Sequence, residues 1–228
     1  MTERESTGIQ KLDDMLEGGL PKGSTILLVG PPGSGKTVFC QQFLAEGLKN
    51  DQGSLFIALD NPPEEIKENA KGFGWNFEDK DNFIIMDVYS WKLGEELSGK
   101  YTVQGPSDLN QLNMTLSDAL KELEDVQKRV VMDSASSLTF FTDINSTVRF
   151  LQVVSAKTKA SGGVFLLTVE KGVHDEKDLS TLNYVADGVI EMKKEDGDRY
   201  ISIPRMSKTT EVDEWTEYKI TENGIKAE

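Results

Sequence analysis

The sequence predicts an α/β fold in which a mainly parallel sheet is flanked by helices on both faces and antiparallel strands are added at one edge toward the C-terminus. Three observations predict it. Five short runs, at 25–29, 55–59, 83–86, 130–132 and 164–169, read as apolar along their whole length and alternate with stretches of helical periodicity near 36–49, 63–73, 108–126 and 145–160. Strands without a polar face are buried on both sides, as when helices cover both faces of a parallel sheet. The first run leads directly into Gly30-Pro31-Pro32-Gly33-Ser34-Gly35-Lys36-Thr37, a glycine-rich loop of the kind that joins a strand to a helix. Beyond Thr181 the pattern changes to strand-like runs at 188–192, 200–203 and 215–220, linked by short polar turns such as Glu195-Asp196-Gly197-Asp198, which predicts an antiparallel extension.

In chain order, Ser6 or Thr7 can cap a short helix whose Ile9, Leu12, Met15 and Leu16 share one face, and Gly18-Gly19 end it. A turn at Pro21-Lys22-Gly23 delivers the chain to the first strand. Helix 36–49 starts on the glycine-rich loop and carries Cys40 on its inner side. After strand 55–59, Asn61 reads as the N-cap of helix 63–73, with Pro62 at the first helical position and Glu64 three residues beyond the cap; a direct catalytic role for Asn61 is the alternative. Trp75, after Gly72-Phe73-Gly74, reads as packing rather than as a platform for a base. Segment 89–107 lacks periodicity and is broken by Gly94, Gly99 and Gly105-Pro106. Loops of that length are often functional, and a surface excursion held down by Trp91 and Tyr101 is the other reading. Lys121, Glu122, Glu124, Asp125 and Lys128 read as a solvated helix face.

A chain of 228 residues, 37% of them apolar, is sized for one well-buried domain. Its 25 basic and 39 acidic residues give a formal charge of −14, a field that repels nucleic-acid backbones, and no Lys/Arg block offsets it. Cys40 is the only cysteine, so no internal disulfide can form, which suits a reducing cytoplasm. The start, MTERES, lacks the basic and apolar regions of a secretion signal, and no apolar run approaches the length of a membrane span.

The chemistry begins at residues 30–37. Glycines let successive backbone N–H groups face one point, and the following helix adds the positive end of its dipole there, so a polyphosphate fits. Lys36 is the residue to reach the β- and γ-phosphates, and Thr37 the hydroxyl to ligate Mg²⁺. In an open parallel sheet ligands lie beyond the carboxyl ends of the strands. Asp133, ending the run Arg129-Val130-Val131-Met132-Asp133, is therefore a carboxylate for the metal, acting through water; a cap for the turn Ser134-Ala135-Ser136 is the alternative. Ser134 and Ser136 either orient these groups or are plain turn residues. Asp60 and Glu170 end the runs before them on the same edge: Asp60 as a base or a structural acid, Glu170 as a nucleotide sensor or backup base. His174, among Lys171, Asp175, Glu176 and Lys177, reads as a solvated interface residue, since one histidine makes no zinc site.

Taken together, Thr7-Gly8-Ile9, Leu12-Asp13, Gly18-Gly19-Leu20-Pro21 and Gly23, leading into GPPGSGKT and later VVMDSAS, resemble the RecA-like ATPases of the KaiC and RadA group, in particular single-domain KaiC-like proteins of archaea. The likeness continues through PPEEIKENAKGFGW, LLTVEKGVHDEK, VADGVIEM and YKITENGI, and so covers nearly the whole chain. It implies a RecA-like P-loop NTPase core that binds ATP and Mg²⁺ and forms homo-oligomers, commonly a ring, for which a hexamer is one option, with nucleotide between subunits. It carries nucleotide contacts over to Gly30, Pro31, Pro32, Gly33, Ser34, Gly35, Lys36, Thr37 and Val38, with Lys208 as a further one. Two departures stand out. Where the family has adjacent glutamates after the second strand, the first of which positions the attacking water, this chain has Asp60-Asn61. Where it often has Lys-x-Arg reaching a neighbour's γ-phosphate, this chain has Arg205-Met206-Ser207-Lys208. Arg205 can stand in for the lysine, whereas Ser207 cannot stand in for the arginine.

A trans-acting arginine contributes about 10³ to 10⁵ in rate. Aspartate is shorter than glutamate by about 1.5 Å, and misplacement by about 1 Å can cost about a hundredfold. The expectation is an oligomeric ATP-binding protein with Mg²⁺-dependent, weak ATP hydrolysis coupled to assembly or to a protein partner. A non-hydrolysing ATP-dependent switch or scaffold is the first alternative. A DNA recombinase paralogue is the second, disfavoured by the missing basic footprint.

Overall fold

The computed structural model describes residues 2–78, 80–94, 99–123, 126–209 and 212–228. Glu124 and Asp125 of the expected solvated face, and residues 95–98 of segment 89–107, lie outside the described residues. The chain runs β1 (Arg4–Glu5), α1 (Gln10–Met15), β2 (Leu20–Pro21), β3 (Thr25–Gly30), α2 (Lys36–Lys49), β4 (Gly53–Ala58), α3 (Pro63–Gly72), β5 (Phe83–Asp87), a 3₁₀ turn at Ser90–Leu93, α4 (Leu109–Glu122), β6 (Lys128–Asp133), α5 (Ala135–Thr139), α6 (Ile144–Ala160), β7 (Val164–Glu170), α7 (Glu176–Asn183), β8 (Gly188–Glu195), β9 (Asp198–Met206), β10 (Val212–Thr221) and β11 (Gly224–Ala227).

Nine strands form one sheet in the order β11-β10-β9-β8-β3-β7-β6-β4-β5. From β8 to β5 the neighbours are parallel, while β9, β10 and β11 add antiparallel. The alternating side chains of β3 show why these strands carry no polar face. Ile26 and Leu28 enter a core with Phe39 and Phe43 of α2 and Leu12 of α1, whereas Leu27 and Val29 enter one with Leu112 and Leu116 of α4 and Leu151 and Val154 of α6. Asp108 and Asp143 cap α4 and α6, each accepting from two backbone N–H groups. Cys40 is fully buried on the inner face of α2, and burial pushes its thiol up, so it is an inert core residue. Among the described residues no helix is long and apolar enough to cross a membrane.

Four local expectations are corrected. Asn61 does not cap α3: the N-cap is Pro62, extended at φ −68° and ψ 153°, with no side-chain cap bond. The cause is steric, because Pro63 pushes the residue before it out of the helical region, so the helix starts one residue later than a Pro62 start allows. Ser6 and Thr7 do not cap α1 either; the N-cap is Ile9. The Thr7 N–H and hydroxyl both donate to buried Asp13 at 2.7 Å, and the Ser6 hydroxyl donates to its other oxygen at 2.6 Å. The run 188–192 belongs to the parallel part, since α7 provides a crossover that returns the chain alongside β3. Lys128 is no part of a helix face but the buried first residue of β6. In segment 89–107, Trp91 meets Phe141 edge-on at 5.4 Å, and residues 101–103 lie along the end of β5, with Asp87 bonded to Tyr101 and Val103. Trp75 is buried and stacks on Phe73 at 4.9 Å.

Candidate functional site

The glycine-rich loop leaves β3 at Gly30 and enters α2 at Lys36. Gly35 is the helix N-cap in a left-handed conformation, φ +94°, and a Cβ there would stand 2.7 Å from Ile220 Cδ1, so only glycine fits. The second half of the loop is tied to the C-terminal strands. Tyr218 donates its hydroxyl to the Ser34 carbonyl, and Arg199 Nε donates to the Gly33 carbonyl at 3.3 Å. Burial pushes the Tyr218 phenol well up.

Lys36, 8% exposed, is held by three acceptors: the Gly30 and Pro31 carbonyls at 2.8 and 3.0 Å and Glu170 Oε2 at 2.8 Å. An ammonium has three donors, so this set saturates it. The second Glu170 oxygen, Oε1, is buried without a partner among the described residues. One residue on, the Thr37 hydroxyl donates to Asp133 Oδ2 at 2.7 Å, and Thr168 of β7 donates to Oδ1 at 2.5 Å. Burial raises the Asp133 carboxyl, and these two hydroxyls oppose that rise. The cap of α5 is Ser134, whose Oγ accepts from the Ser137 N–H at 3.2 Å, so Asp133 is left free of that role. The Asp133–Ser134 peptide is cis.

Asp60 follows β4 on the same edge, where the Leu59 N–H meets the Asp133 carbonyl at 2.9 Å. Its side chain is exposed and accepts from the Ser137 hydroxyl. Ser136 Oγ accepts from the Glu170 N–H at 2.8 Å and lies 2.8 Å from His174 Nε2. Thus Lys36, Thr37, Asp133, Glu170 and Asp60 share the carboxyl edge of the sheet. Val38 is half-buried against the core under α2.

Arg205 and Lys208 are not brought to that edge. Arg205 pairs with Val189 near the start of β8 and donates to the Asn183 and Ala186 carbonyls, at 3.1 and 3.0 Å. Lys208 sits in the turn after β9 at φ +61°, its carbonyl accepting from Arg4. Both therefore lie at the amino edge, away from the chain's own Lys36.

The family model described as ATPase: KaiC matches residues 5–227. The chain belongs to the KaiC family of ATPases. Curated relatives within reach include UPF0273 proteins of Thermotoga maritima, 30% identical over 99% of this chain and 96% of the relative, and of Aeropyrum pernix, 31% identical over 99% and 93%. A UPF0273 protein of Methanopyrus kandleri is 29% identical over 99% of this chain and 92% of its own. The fold is that of a crystallised KaiC-like protein of Pyrococcus horikoshii, which matches with a TM-score of 0.81 at 22% identity, each chain covered in full. For a KaiC-family chain, ATP is the nucleotide to expect at the loop, as the sequence resemblance implies.

Sequence reasoning missed several residues of this KaiC-type site. Thr168 was legible only as a polar residue inside an apolar run. Ser137 carried no signal, and the pairing of Ser136 with His174 spans 38 positions that only the tertiary fold brings together. Arg199 and Tyr218 lie in strands whose register against the loop no spacing rule gives.

Proposed function

We propose that this KaiC-family protein binds ATP with Mg²⁺ as a single domain, hydrolyses it slowly, and uses nucleotide state to govern self-assembly or a protein partner. The carrying observation is the side-by-side arrangement of Lys36 with Glu170 and of Thr37 with Asp133 on one sheet edge. The backbone N–H groups of residues 33–37 and the Lys36 ammonium would hold the phosphates, and Thr37 with Asp133 through water would hold Mg²⁺. The ion supplies charge neutralisation for the phosphates. No group of three or more His, Cys, Asp or Glu able to cage a metal occurs among the described residues, and Mg²⁺ in nucleotide sites needs only one or two protein ligands beside phosphate and water.

In hydrolysis a water oxygen bonds to the γ-phosphorus, the bridging P–O bond to ADP breaks, and the water proton passes to a carboxylate, Asp60 or Glu170. Asp60 is short for the task and engaged by Ser137, which supports slow turnover. Arg205, at the opposite edge from its own Lys36, would act only on a neighbour's nucleotide, which supports turnover that depends on assembly. The engagement of Asp60 also favours a second reading, a switch that binds ATP without hydrolysing it. Steady-state phosphate release by wild type, Asp60→Ala and Asp60→Glu, with size-exclusion runs in ATP and in ADP, tests the two. Equal background release by wild type and Asp60→Ala, with ATP still bound and assembly still shifted, leaves only the switch.

A further inference from the structure

Three hydrogen bonds connect the phosphate-site lysine to a surface turn. Lys36 Nζ meets Glu170 Oε2 at 2.8 Å, the Glu170 N–H donates to Ser136 Oγ at 2.8 Å, and Ser136 Oγ meets His174 Nε2 at 2.8 Å. The middle of this path is dry: Ser136 is 2% exposed. His174 itself is half-buried in the turn between β7 and α7, directly before Asp175, which caps α7 by accepting from the Asp178 N–H at 2.8 Å.

We propose that His174 is a positioning residue of the phosphate site, acting through the Ser136 hydroxyl to fix the carboxyl end of β7 and hold the Glu170 carboxylate against Lys36. This rests on the nucleotide reading given above and adds to it how the site is set. A serine hydroxyl has one proton and two lone pairs. With one lone pair taken by the Glu170 N–H, its proton is free to go to His174 Nε2. Burial lowers the His174 pKa against the opposing pull of Asp178 and Asp175, which keeps the ring neutral and Nε2 able to accept.

The consequence lies at Lys36. A γ-phosphate competes with Glu170 for the saturated ammonium, and Glu170, whose other oxygen already lacks a partner among the described residues, resists giving it up. Loosening Ser136 loosens Glu170 and so favours ATP. ADP, without the γ-phosphate, gains less. The turn carrying His174 therefore senses which partner Lys36 holds.

The test is titration of the full chain with mant-ATP and mant-ADP in Mg²⁺, for wild type, His174→Ala, His174→Gln and Ser136→Ala, each repeated with Glu170→Gln. The expected result is a rise of about threefold in the preference for mant-ATP over mant-ADP in His174→Ala and Ser136→Ala, the size of a modest hydrogen-bond effect. His174→Gln, which keeps a hydrogen-bonding group near the place of Nε2, stays at the wild-type ratio. None of these changes moves the ratio further once Glu170 is Gln. The proposal is overturned if the ratio ignores His174 while wild type binds, if Gln behaves as Ala does, or if the effect is the same with Glu170→Gln. Should His174→Ala fail to fold, Ser136→Ala against His174→Gln decides. Wild type that binds neither probe overturns the nucleotide reading itself and this proposal with it.

Discussion

Replacing Glu170 by Gln should tighten ATP binding. Lys36 and Glu170 are 8% and 24% exposed and meet at 2.8 Å, so the bond is largely shielded from water. The Lys36 ammonium keeps a bond to either acceptor charge-assisted, but the carboxylate adds an ion-pair attraction of about 1 kcal/mol or more that a neutral acceptor lacks. Glutamine keeps a carbonyl near Lys36, so the substitution removes about 1 kcal/mol of the competition that a phosphate must overcome, which is about fivefold in Kd. Loss of a negative charge beside the γ-phosphate acts in the same direction, so about fivefold is a lower bound. Isothermal titration with ATP and ADP in Mg²⁺ measures it, with thermal unfolding as the control for an intact fold. Unchanged or weaker ATP binding by a folded Glu170→Gln refutes the reasoning that Glu170 holds Lys36 back from phosphate. Phosphate release by the same variant locates the base: a fall implicates Glu170, whereas no change leaves Asp60.

Four further substitutions probe the surroundings. Thr168→Val removes a buried donor to Asp133 at nearly constant shape and should lower stability by about 1–3 kcal/mol, read as a drop in the urea midpoint. Gly35→Ala places a Cβ 2.7 Å from Ile220 at φ +94°, so it should cost about 1–3 kcal/mol and abolish mant-ATP binding, whereas Gly33→Ala, with open space around it, should disturb stability less. Tyr218→Phe loses the bond to the Ser34 carbonyl, about 1 kcal/mol near neutrality. Because the folded phenol is raised above its ordinary value of about 10, the unfolded chain sheds its proton first as pH rises. The contribution of Tyr218 is thus fully present below about pH 10 and is lost above it, so the gap between wild type and Tyr218→Phe in urea should narrow from about pH 8 to about pH 10.5.

The parts of the fold that were legible in the sequence are those whose cause is local. Runs such as Ile26-Leu27-Leu28 are apolar because both faces of the sheet are covered, and the loop at 30–37 announces itself because a phosphate nest needs glycine at fixed spacing. What was not legible depends on competition or on distance. At Pro62-Pro63 two helix-start rules conflict, and the restriction on the residue before proline wins over the capping pattern that begins at Asn61. Five-residue α5 and eight-residue α7 are too short to show a period, and without α7 the parallel placement of β8 is invisible. At the site, Lys36, Thr37 and Asp133 were readable as residue types in context. Ser136 was readable only as a candidate to orient these groups, while the bond from Thr168 to Asp133 and the pairing of Ser136 with His174 were not, because a hydroxyl or imidazole acquires its role from what folding sets beside it.

The central claim is that residues 30–37 with Asp133 form a site for ATP with Mg²⁺, and Lys36→Ala tests it most directly. Titration of wild type and Lys36→Ala with ATP, in Mg²⁺ and again in EDTA, should give Mg²⁺-dependent binding by wild type and a loss of about a hundredfold in the variant, the scale of one or two charge-assisted bonds to phosphate. Equal ATP affinity in a folded Lys36→Ala, or wild-type binding that ignores Mg²⁺, contradicts it.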